Sequence, residues 1–266
     1  MNWEQLTSPE FAKAVDACKG VCLVPMGVIE KHGDHLPLGQ DTIYIHEVAS
    51  MAAKRESAMV FPQYYFGQIH EAKHVPGTIA VDGELLTMLL TNVCDEIARN
   101  GFAKIVLVNG HGGNNHLIRY FLQLNLQQAL PYTLYAVGIP GSGARSKKVL
   151  EAKRDGHAGE KETSAMLHLH PELVKLQAFK DYGQALGRTK HLADAGIETG
   201  IWWYADYPGH LAGEAVSFTK EKGEAVVEDH VELLAKQIRA VKDDTSVPEL
   251  YADFYERSDA PSNRYP

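Results

Sequence analysis

Apolar residues along the chain are grouped in two ways, and each grouping predicts one kind of secondary structure. Short continuous apolar runs are typical of strands buried on both faces of a parallel sheet. Such runs lie at residues 21–26 (VCLVPM), 58–61, 104–108 (KIVLV) and 132–137. Apolar residues at helical spacing over residues 83–98 predict a helix, and Asn100-Gly101 is a suitable C-terminal cap for it.

Further helices are expected between and after the strands. They are predicted from about residue 41 through the fifties, after residue 115 to about 128, from residue 159 or 160, and over about 220–241. Strand, loop and helix therefore alternate several times along the chain. This order predicts an α/β fold with a mostly parallel sheet and helices on both of its faces.

Two regions carry weaker patterns. Residues 183–213 are rich in glycine and aromatic residues and show no clear period, so we expect loops there that form a lid or a subunit contact. The tail after Asp243 is weakly patterned. Because no internal repeat or convincing linker interrupts the chain, we expect a single domain over residues 1–266.

Composition and charge narrow the class of protein. The chain has 26 basic and 34 acidic residues, a formal charge of −8, which disfavours a nucleic-acid binder. No apolar run approaches the length of a membrane span, so no membrane partner is expected. Cys18, Cys22 and Cys94 form no CxxC pair, and this usage favours a reduced, cytoplasmic location.

Chemistry-bearing residues follow the first and third predicted strands. Glu30 and His32 lie two residues apart after the strand at 21–26, so extended backbone points them the same way, and Asp41 follows at the start of the next helix. His111, in the glycine-rich stretch NGHGGNN, follows the strand at 104–108. Because sites form at the carboxyl ends of parallel strands, this carboxylate and imidazole set predicts a borderline divalent metal such as Zn, Mn or Fe.

A third cluster, HAGEKETS, begins at His157 just before a predicted helix. Glu162 would lie in or near the first turn of that helix, where it could close the site. Structural alternatives stay open for single residues: Asp41 could cap a helix, His111 could bond loop backbone, and Glu162 could only stabilise a helix N-terminus. Trp202-Trp203 are interpreted as packing or interface aromatics.

With these residues in place, the sequence resembles the creatininase family of metal-dependent amidohydrolases. The resemblance spreads over most of the chain, from about residue 23 to about 224. Its blocks occur in the family's order: LVPMGVIEKHGDHLPLGQD (23–41), KHVPGTIAVDG (73–83), VNGHGGNN (108–115), HAGEKETSAML (157–167) with HPELV (170–174), and KEKGE (220–224). The resemblance implies a three-layer α/β/α fold, a site with two divalent metal ions and a homo-oligomer, commonly a hexamer.

The resemblance also implies roles for individual residues. Glu30, His32, Asp41 and His111 match metal positions, and Asp41 matches the carboxylate that bridges both ions. His157 matches a catalytic histidine that contacts substrate, and His74, in the second block, is a further candidate for substrate binding. Creatinine-hydrolysing members carry Tyr-Glu after the NGH motif, where this chain has Gly112-Gly113, so Glu162 is taken as the remaining metal ligand and as a catalytic candidate. The Trp and Glu that precede the matched histidine in those members are also absent.

The expected reaction is hydrolysis of an amide, cyclic amide or formamide C–N bond in a small molecule by a hydroxide held at two metals, with zinc preferred over manganese or iron. His157 would shuttle the proton to the departing nitrogen. Basic residues near 145–154 suggest an anionic substrate group or, alternatively, a solvated helix face: Arg145, Lys147, Lys148 and Arg154. Two other classes remain: a metal-dependent isomerase or lyase acting on a small carbonyl or sugar-like compound, and a metal-dependent binding protein without turnover.

Overall fold

A four-stranded parallel sheet forms the centre of the computed structural model, which describes residues 1–138 and 141–261. The strands are β1 (Val21–Met26), β2 (Met59–Val60), β3 (Lys104–Asn109) and β4 (Thr133–Gly138), in the order β2–β1–β3–β4. In the longest register, residue 21 of β1 pairs with residue 104 of β3 and residue 26 with residue 109. The parallel sheet and the approximate place of every predicted strand are confirmed.

Both faces of the sheet are buried, because the strand sequences are continuous apolar runs and give the sheet no polar face. Val21 and Leu23 of β1 point into one hydrophobic core, whereas Cys22, Val24 and Met26 point into the other. A strand alternates the direction of its side chains, so a continuous apolar run requires cover on both sides. The sequence of β1 therefore already implies two layers of helices.

Nine α-helices are described, and six of them supply that cover. They are α1 (Ser8–Ala17), α2 (Gln40–Arg55), α3 (Gly83–Arg99), α4 (Asn114–Leu124), α5 (Glu160–Leu169), α6 (Lys190–Asp194), α7 (Trp202–Asp206), α8 (Lys220–Asp243) and α9 (Ser246–Asp259). Residues of α2, α5 and α8 form the core on one face of the sheet. Residues of α1, α3 and α4 form the core on the other face. The predicted α/β/α layering is thus confirmed.

Local sequence explains where the main helices begin and end. The side chain of Asp82 accepts hydrogen bonds from the backbone N–H groups of Glu84 and Leu85, and so caps the start of α3. That helix ends at the predicted cap, where Gly101 adopts a φ of 101° that favours glycine. The side chain of Thr219 caps α8 in the same way.

A close approach at the end of β1 fixes the start of α2 beside the sheet. A Cβ atom at Gly27 would overlap the backbone of Asp41 and Thr42, so only glycine lets α2 begin there. The backbone N–H of Gly110, just after β3, donates to the carbonyl of Met26 over 2.9 Å. The loops that follow β1 and β3 therefore leave the sheet side by side, next to the first turn of α2.

Two weakly patterned regions contain more helix than the sequence predicts. The segment 183–213 includes the short helices α6 and α7, each of five residues, and the tail after Asp243 forms α9. Helices as short as α6 and α7 give no periodic signal, and none of the residues of α9 is buried. The prediction of a single domain over residues 1–266 stays a prediction, and residues 139–140 and 262–266 lie outside the described part of the chain. Within the described residues, no helix is long and apolar enough to cross a membrane.

Candidate metal centre and active site

Four candidate ligands from three chain segments meet at the carboxyl edge of the sheet. Glu30 and His32 lie in the loop after β1, Asp41 lies in the first turn of α2, and His111 follows β3. All four side chains are at least nine-tenths buried. The convergence that the sequence predicts is therefore present in the structure.

One cluster joins Glu30, Asp41 and His111. The Nδ1 atom of His111 lies 3.0 Å from Oε1 of Glu30 and 2.9 Å from Oδ2 of Asp41. Both of these oxygens are buried, and neither has a hydrogen-bond partner among the described residues. The other ring nitrogen of His111, Nε2, lies 3.0 Å from the carbonyl oxygen of Gln68, so the neutral ring, which is the form that binds a metal ion, carries its proton there and leaves the Nδ1 lone pair facing the carboxylates.

Such a cluster of buried acceptors fits a divalent cation. Three lone-pair atoms from two carboxylates and one imidazole face one another, and a cation between them would satisfy the two unpartnered oxygens. Burial opposes protonation of His111, but the negative charge of Glu30 outweighs it and raises the pKa of His111 well above its usual range. An environment that favours a positive charge so strongly also favours a metal ion.

A second cluster joins His32, Asp41 and Glu162. The Nε2 atom of His32 lies 3.0 Å from Oδ1 of Asp41 and 3.8 Å from Oε2 of Glu162. Its Nδ1 atom lies 3.3 Å from the carbonyl oxygen of Glu30, which assigns the ring proton to Nδ1. The two oxygens of Asp41 therefore face different histidines, which is the arrangement that a carboxylate bridging two cations needs.

The charged groups of the second cluster shift one another's pKa values. Burial opposes protonation of His32, but the carboxylate of Asp41 raises the pKa of His32 to about 9. Burial raises the pKa of Glu162 to about 7 against the opposing charge of His32. The backbone N–H of Ala158 donates to Oε2 of Glu162 over 2.6 Å and holds that carboxylate toward the site.

His157 lies against the ring of His32, with the two ring centroids 4.0 Å apart. Its Nε2–H donates to the carbonyl oxygen of Lys31 over 2.8 Å, and the same atom is 3.7 Å from Oε2 of Glu30. Burial and the charge of His32 lower the pKa of His157 to about 4. His157 is therefore a neutral imidazole near pH 7, with Nδ1 as its proton acceptor.

One further histidine at the centre was not identified from the sequence. His210 is fully buried, and its Nδ1 atom lies 3.3 Å from Oε2 of Glu30. It follows Pro208 and Gly209 in the segment without a period, and nothing in its spacing separates it from the other histidines. Only the folded position of that segment reveals it.

His74 lies next to His210. It is not among the described residues that line the cavity at the metal centre. Its Nε2–H donates to the carbonyl of Pro208 over 2.9 Å, and its ring lies 5.3 Å from that of His210. The substrate-binding role expected for His74 stays a prediction. Its contacts are those of a residue that fixes the 208–210 turn.

A cavity of about 660 Å³ opens onto the centre. Candidate ligands form its floor, and its walls include Gln68, Glu71, Asn115, Trp202 and Trp203. The ring of Trp203 meets that of His157 edge-on at 5.5 Å between centroids. The expectation that the two tryptophans only pack or form an interface is therefore incomplete, because both line the cavity.

The basic residues near 145–154 do not reach this cavity. Arg145 forms ion pairs with Asp229 and Glu232 at 3.3 and 2.7 Å, and Arg154 lies 3.8 Å from Glu214. Lys147 and Lys148 are exposed. The described lining of the cavity includes none of the four basic residues: Arg145, Lys147, Lys148 and Arg154. The structure thus supports the alternative of a solvated face.

The glycine pair after His111 differs sharply in its surroundings. A Cβ atom at Gly113 would lie 2.5 Å from Nε2 of His111 and 2.6 Å from Oε1 of Gln68. A Cβ atom at Gly112 would meet nothing within 4 Å. No side chain fits at Gly113 unless both His111 and Gln68 move, so a carboxylate for the second cluster has to come from elsewhere, and Glu162 provides one.

Comparison with known proteins adds a family and several relatives. The family model "Creatininase: Creatinine amidohydrolase" matches residues 4–238. The chain is 28% identical over 263 residues to creatinine amidohydrolase from Pseudomonas putida, covering 88% of this chain and 95% of that protein. It is 25% identical over 264 residues to 3-dehydro-scyllo-inosose hydrolase from Thermotoga maritima, covering 90% and 83%.

A shorter match joins the chain to a relative named for a different activity. It is 32% identical over 158 residues to the mycofactocin precursor peptide peptidase of Mycolicibacterium smegmatis, covering 57% of this chain and 59% of that protein. Among solved structures, creatinine amidohydrolase (creatininase) superposes with a TM-score of 0.78 and 26% identity, over 92% of this chain and 98% of that one. Other solved creatininase structures are named as Zn–Zn and Mn forms.

Proposed function

The chain belongs to the creatininase family, and on that premise we propose that it cleaves an amide, cyclic amide or formamide C–N bond of a small molecule at a two-metal centre. It is an amidohydrolase of that family, a hydrolase acting on C–N bonds other than peptide bonds. The proposal concerns the centre and the substrate. Its ligands would be five residues: Glu30, His32, Asp41, His111 and Glu162.

The position of Asp41 carries the proposal. Its Oδ2 faces the unpartnered Oε1 of Glu30 and Nδ1 of His111, while its Oδ1 faces His32. The nitrogen and oxygen donors suit zinc, and manganese or iron are alternatives. The chemistry that such ions supply when bound is activation of water at neutral pH and polarisation of the scissile carbonyl.

The chain's own residues would move the proton. Neutral His157 holds a proton at Nε2, which the carbonyl of Lys31 fixes, and therefore has a lone pair at Nδ1. That nitrogen can accept a proton from the attacking water and return it to the departing nitrogen, which would otherwise leave as an unstable anion. Trp203 packs edge-on against the imidazole and limits its rotation.

The cavity walls indicate the substrate class. Apart from the candidate metal ligands, the lining of the cavity includes tryptophan rings, the side-chain amides of Gln68 and Asn115 and the carboxylate of Glu71. The described lining includes no lysine or arginine. Glu71 is itself bonded to the amide of Gln68 over 2.7 Å. These walls favour a neutral or cationic small amide over the anionic substrate group that the basic residues suggested.

An aromatic wall is present even though the residues before His157 do not supply one. Trp202 and Trp203 come from α7 instead. Creatinine therefore belongs in the substrate panel, together with other cyclic amides, linear amides and N-formyl compounds. The relatives named for creatinine, a peptide and an inosose give no reason to test one class alone.

The test is hydrolysis of this panel by zinc- or manganese-loaded protein in ¹⁸O-labelled water. Hydrolysis places the label in the product carboxylate or formate. The variant His111→Ala removes a candidate ligand, and His191→Ala, an exposed histidine on α6, is its matched control. Activity that survives His111→Ala and exhaustive chelation would contradict the proposal.

The second candidate is an isomerase or lyase acting on a small sugar-like carbonyl compound. The similarity to an enzyme named for an inosose favours a polyol-like ketone as one probe. The same labelled-water experiment separates the two candidates, because proton transfer beside a carbonyl forms no labelled carboxylate. Turnover of the ketone without a hydrolysis product would favour this candidate.

We extend the proposal to the state of the protein in the cell. The family resemblance supports a homo-oligomer, commonly a hexamer. Three buried, unpaired cysteines support work in the reducing cytoplasm: Cys18, Cys22 and Cys94. Sedimentation of the purified protein measures its oligomeric state. Cell fractionation shows the compartment in which it is located.

A further inference from the structure

His210 is a buried histidine next to a candidate ligand, and it has no role in the proposed reaction so far. Its side chain is completely buried, and its Nδ1 atom lies 3.3 Å from Oε2 of Glu30. Its Nε2 atom is buried and has no hydrogen-bond partner in the described part of the chain. A residue so placed acts on Glu30 through Nδ1.

The surroundings of His210 assign its proton to Nδ1. With the proton there, Nδ1 donates to the Glu30 carboxylate, the Nε2 lone pair has no partner among the described residues, and the indole N–H of Trp203 loses Nδ1 as its acceptor. With the proton on Nε2 instead, a buried donor would be orphaned and two lone pairs, those of Nδ1 and of Oε2, would face each other. The indole N–H of Trp203 lies 3.4 Å from Nδ1 and would donate to it if the proton were on Nε2, but the contact from Nδ1 to the Glu30 carboxylate is shorter and is made to a charged acceptor.

Backbone bonds hold His210 at this place. Its φ of 52° is in the left-handed region, which few residues other than glycine and asparagine adopt readily. Its carbonyl accepts from the N–H of Gly33 over 2.7 Å, so the loop of His210 is tied to the loop that carries Glu30. Two residues further on, the N–H of Ala212 donates to the carbonyl of His157 over 2.8 Å. The segment is therefore bonded both to the loop that carries Glu30 and to the backbone of His157.

We propose that His210 is a positioning residue, which donates from Nδ1 to Oε2 of Glu30 and thereby turns Oε1 of the same carboxylate toward Asp41 and His111. The inference rests on the proposed function, because it assumes that Glu30 binds a metal ion. A ligand carboxylate that is held by an outer hydrogen bond loses less freedom when it binds its ion. The ring of His210 also packs against that of Trp203, which lines the substrate cavity, with the two ring centroids 6.1 Å apart.

The test is the affinity of the chelator-treated protein for Zn²⁺, measured by competition with a chromophoric chelator. The variant His210→Leu removes the donor and should weaken one bound Zn²⁺ roughly 10–100-fold, the range found for outer-shell partners of metal ligands. The variant His210→Asn keeps a side-chain N–H near the position of Nδ1 and suits the left-handed φ, so it should recover most of the affinity.

His46 provides the matched control. It is also a buried histidine whose Nε2 lacks a hydrogen-bond partner among the described residues, and it lies 4.0 Å from a carboxylate, that of Glu4. Glu4 belongs to neither cluster at the centre, so His46→Leu should leave the Zn²⁺ affinity unchanged. Thermal unfolding of each zinc-free variant shows whether the fold has survived.

The outcomes separate this inference from the proposed function. Wild-type protein that binds no Zn²⁺ would defeat the proposed function and the inference together. Wild-type affinity in His210→Leu, or equal losses in His210→Leu and His210→Asn while both remain folded, would overturn the inference alone. Weak binding in the leucine variant and recovery in the asparagine variant would support it.

Discussion

The Oε2 atom of Glu162 lies 3.8 Å from Nε2 of His32, although the two residues are far apart in the sequence. Glu162 is in the first turn of α5, and His32 is in the loop after β1. Because α5 packs with α2 and α8 on one face of the sheet, the start of α5 is brought to the carboxyl ends of the strands. The relationship gives the second cluster a carboxylate where the glycine pair after His111 offers none.

The glycine pair gives a prediction with its own internal control. Gly113→Ala should displace Gln68, disturb the bond from His111 Nε2 to the Gln68 carbonyl, and weaken zinc binding roughly 10–100-fold. Gly112→Ala should preserve zinc binding, because its Cβ meets nothing within 4 Å. Zinc competition and thermal unfolding of both variants provide the measurement. Equal zinc affinities in the two variants would contradict the steric argument.

His157 should affect turnover without controlling metal content. His157→Gln removes the acceptor at Nδ1, so the rate of hydrolysis should fall on the order of 10²–10⁴-fold. The metal content, measured by elemental analysis, should stay at the wild-type level. His191→Gln is the control for turnover, since His191 is exposed on α6. Loss of metal together with activity would instead make His157 a ligand.

A buried ion pair between α5 and α8 should contribute strongly to stability. Nζ of Lys222 lies 2.6 Å from Oε1 of Glu160, which is fully buried and also accepts from the backbone N–H groups of residues 151 and 152. Lys222→Met leaves that carboxylate without its counter-charge and should lower the free energy of unfolding by roughly 3–5 kcal/mol. Urea unfolding measures the change.

Its control lies on the same helix. Lys236 forms an exposed pair with Glu232 at 2.8 Å, so Lys236→Met should change stability little. A small effect of Lys222→Met, similar to that of Lys236→Met, would show that the buried pair is not an important source of stability.

Low pH should weaken the hydrogen bonds by which Asp229, on α8, holds the turn at residues 143–146. Burial opposes ionisation of Asp229, but hydrogen bonds from Ser146 and Arg145 outweigh it and lower the pKa of Asp229 to about 2. Because the folded value lies below the unfolded value of 3.8, this stabilisation is present above about pH 4 and is lost as the pH falls toward 2.

The variant Asp229→Asn tests the direction of this pH dependence of stability. Its deficit in unfolding free energy relative to wild type should be full at pH 5 to 7 and should shrink as the pH falls below about 4. Urea unfolding of both proteins over this pH range gives the difference. A deficit that stays constant down to the lowest pH would contradict the assignment.

Much of the fold follows from the sequence because its signals are local. The continuous apolar runs of β1 and β3 and the helical spacing of α3 each come from a few adjacent residues. The meeting of Glu30, Asp41 and His111 could also be predicted, since carboxyl ends of neighbouring parallel strands share one edge of a sheet. These inferences need only the order of the strands.

The rest depends on how distant segments pack. His210 and Trp203 reach the centre through a segment whose short helices have no period, and Gly33 and Ala212 tie that segment down by backbone bonds that leave no trace in residue type. The obstruction at Gly113 comes from the ring of His111 and from Gln68, which lies in an irregular stretch. Only the folded chain reveals these contacts.

The metal content of purified protein, compared among wild type, Glu162→Gln and Asp41→Asn, tests the central claim most directly. The account predicts two zinc or manganese ions per chain in wild type, loss of one in Glu162→Gln, and loss of both in Asp41→Asn because the two oxygens of Asp41 face separate clusters. Full metal content in folded Asp41→Asn, or a wild-type protein that takes up no divalent ion, would contradict it.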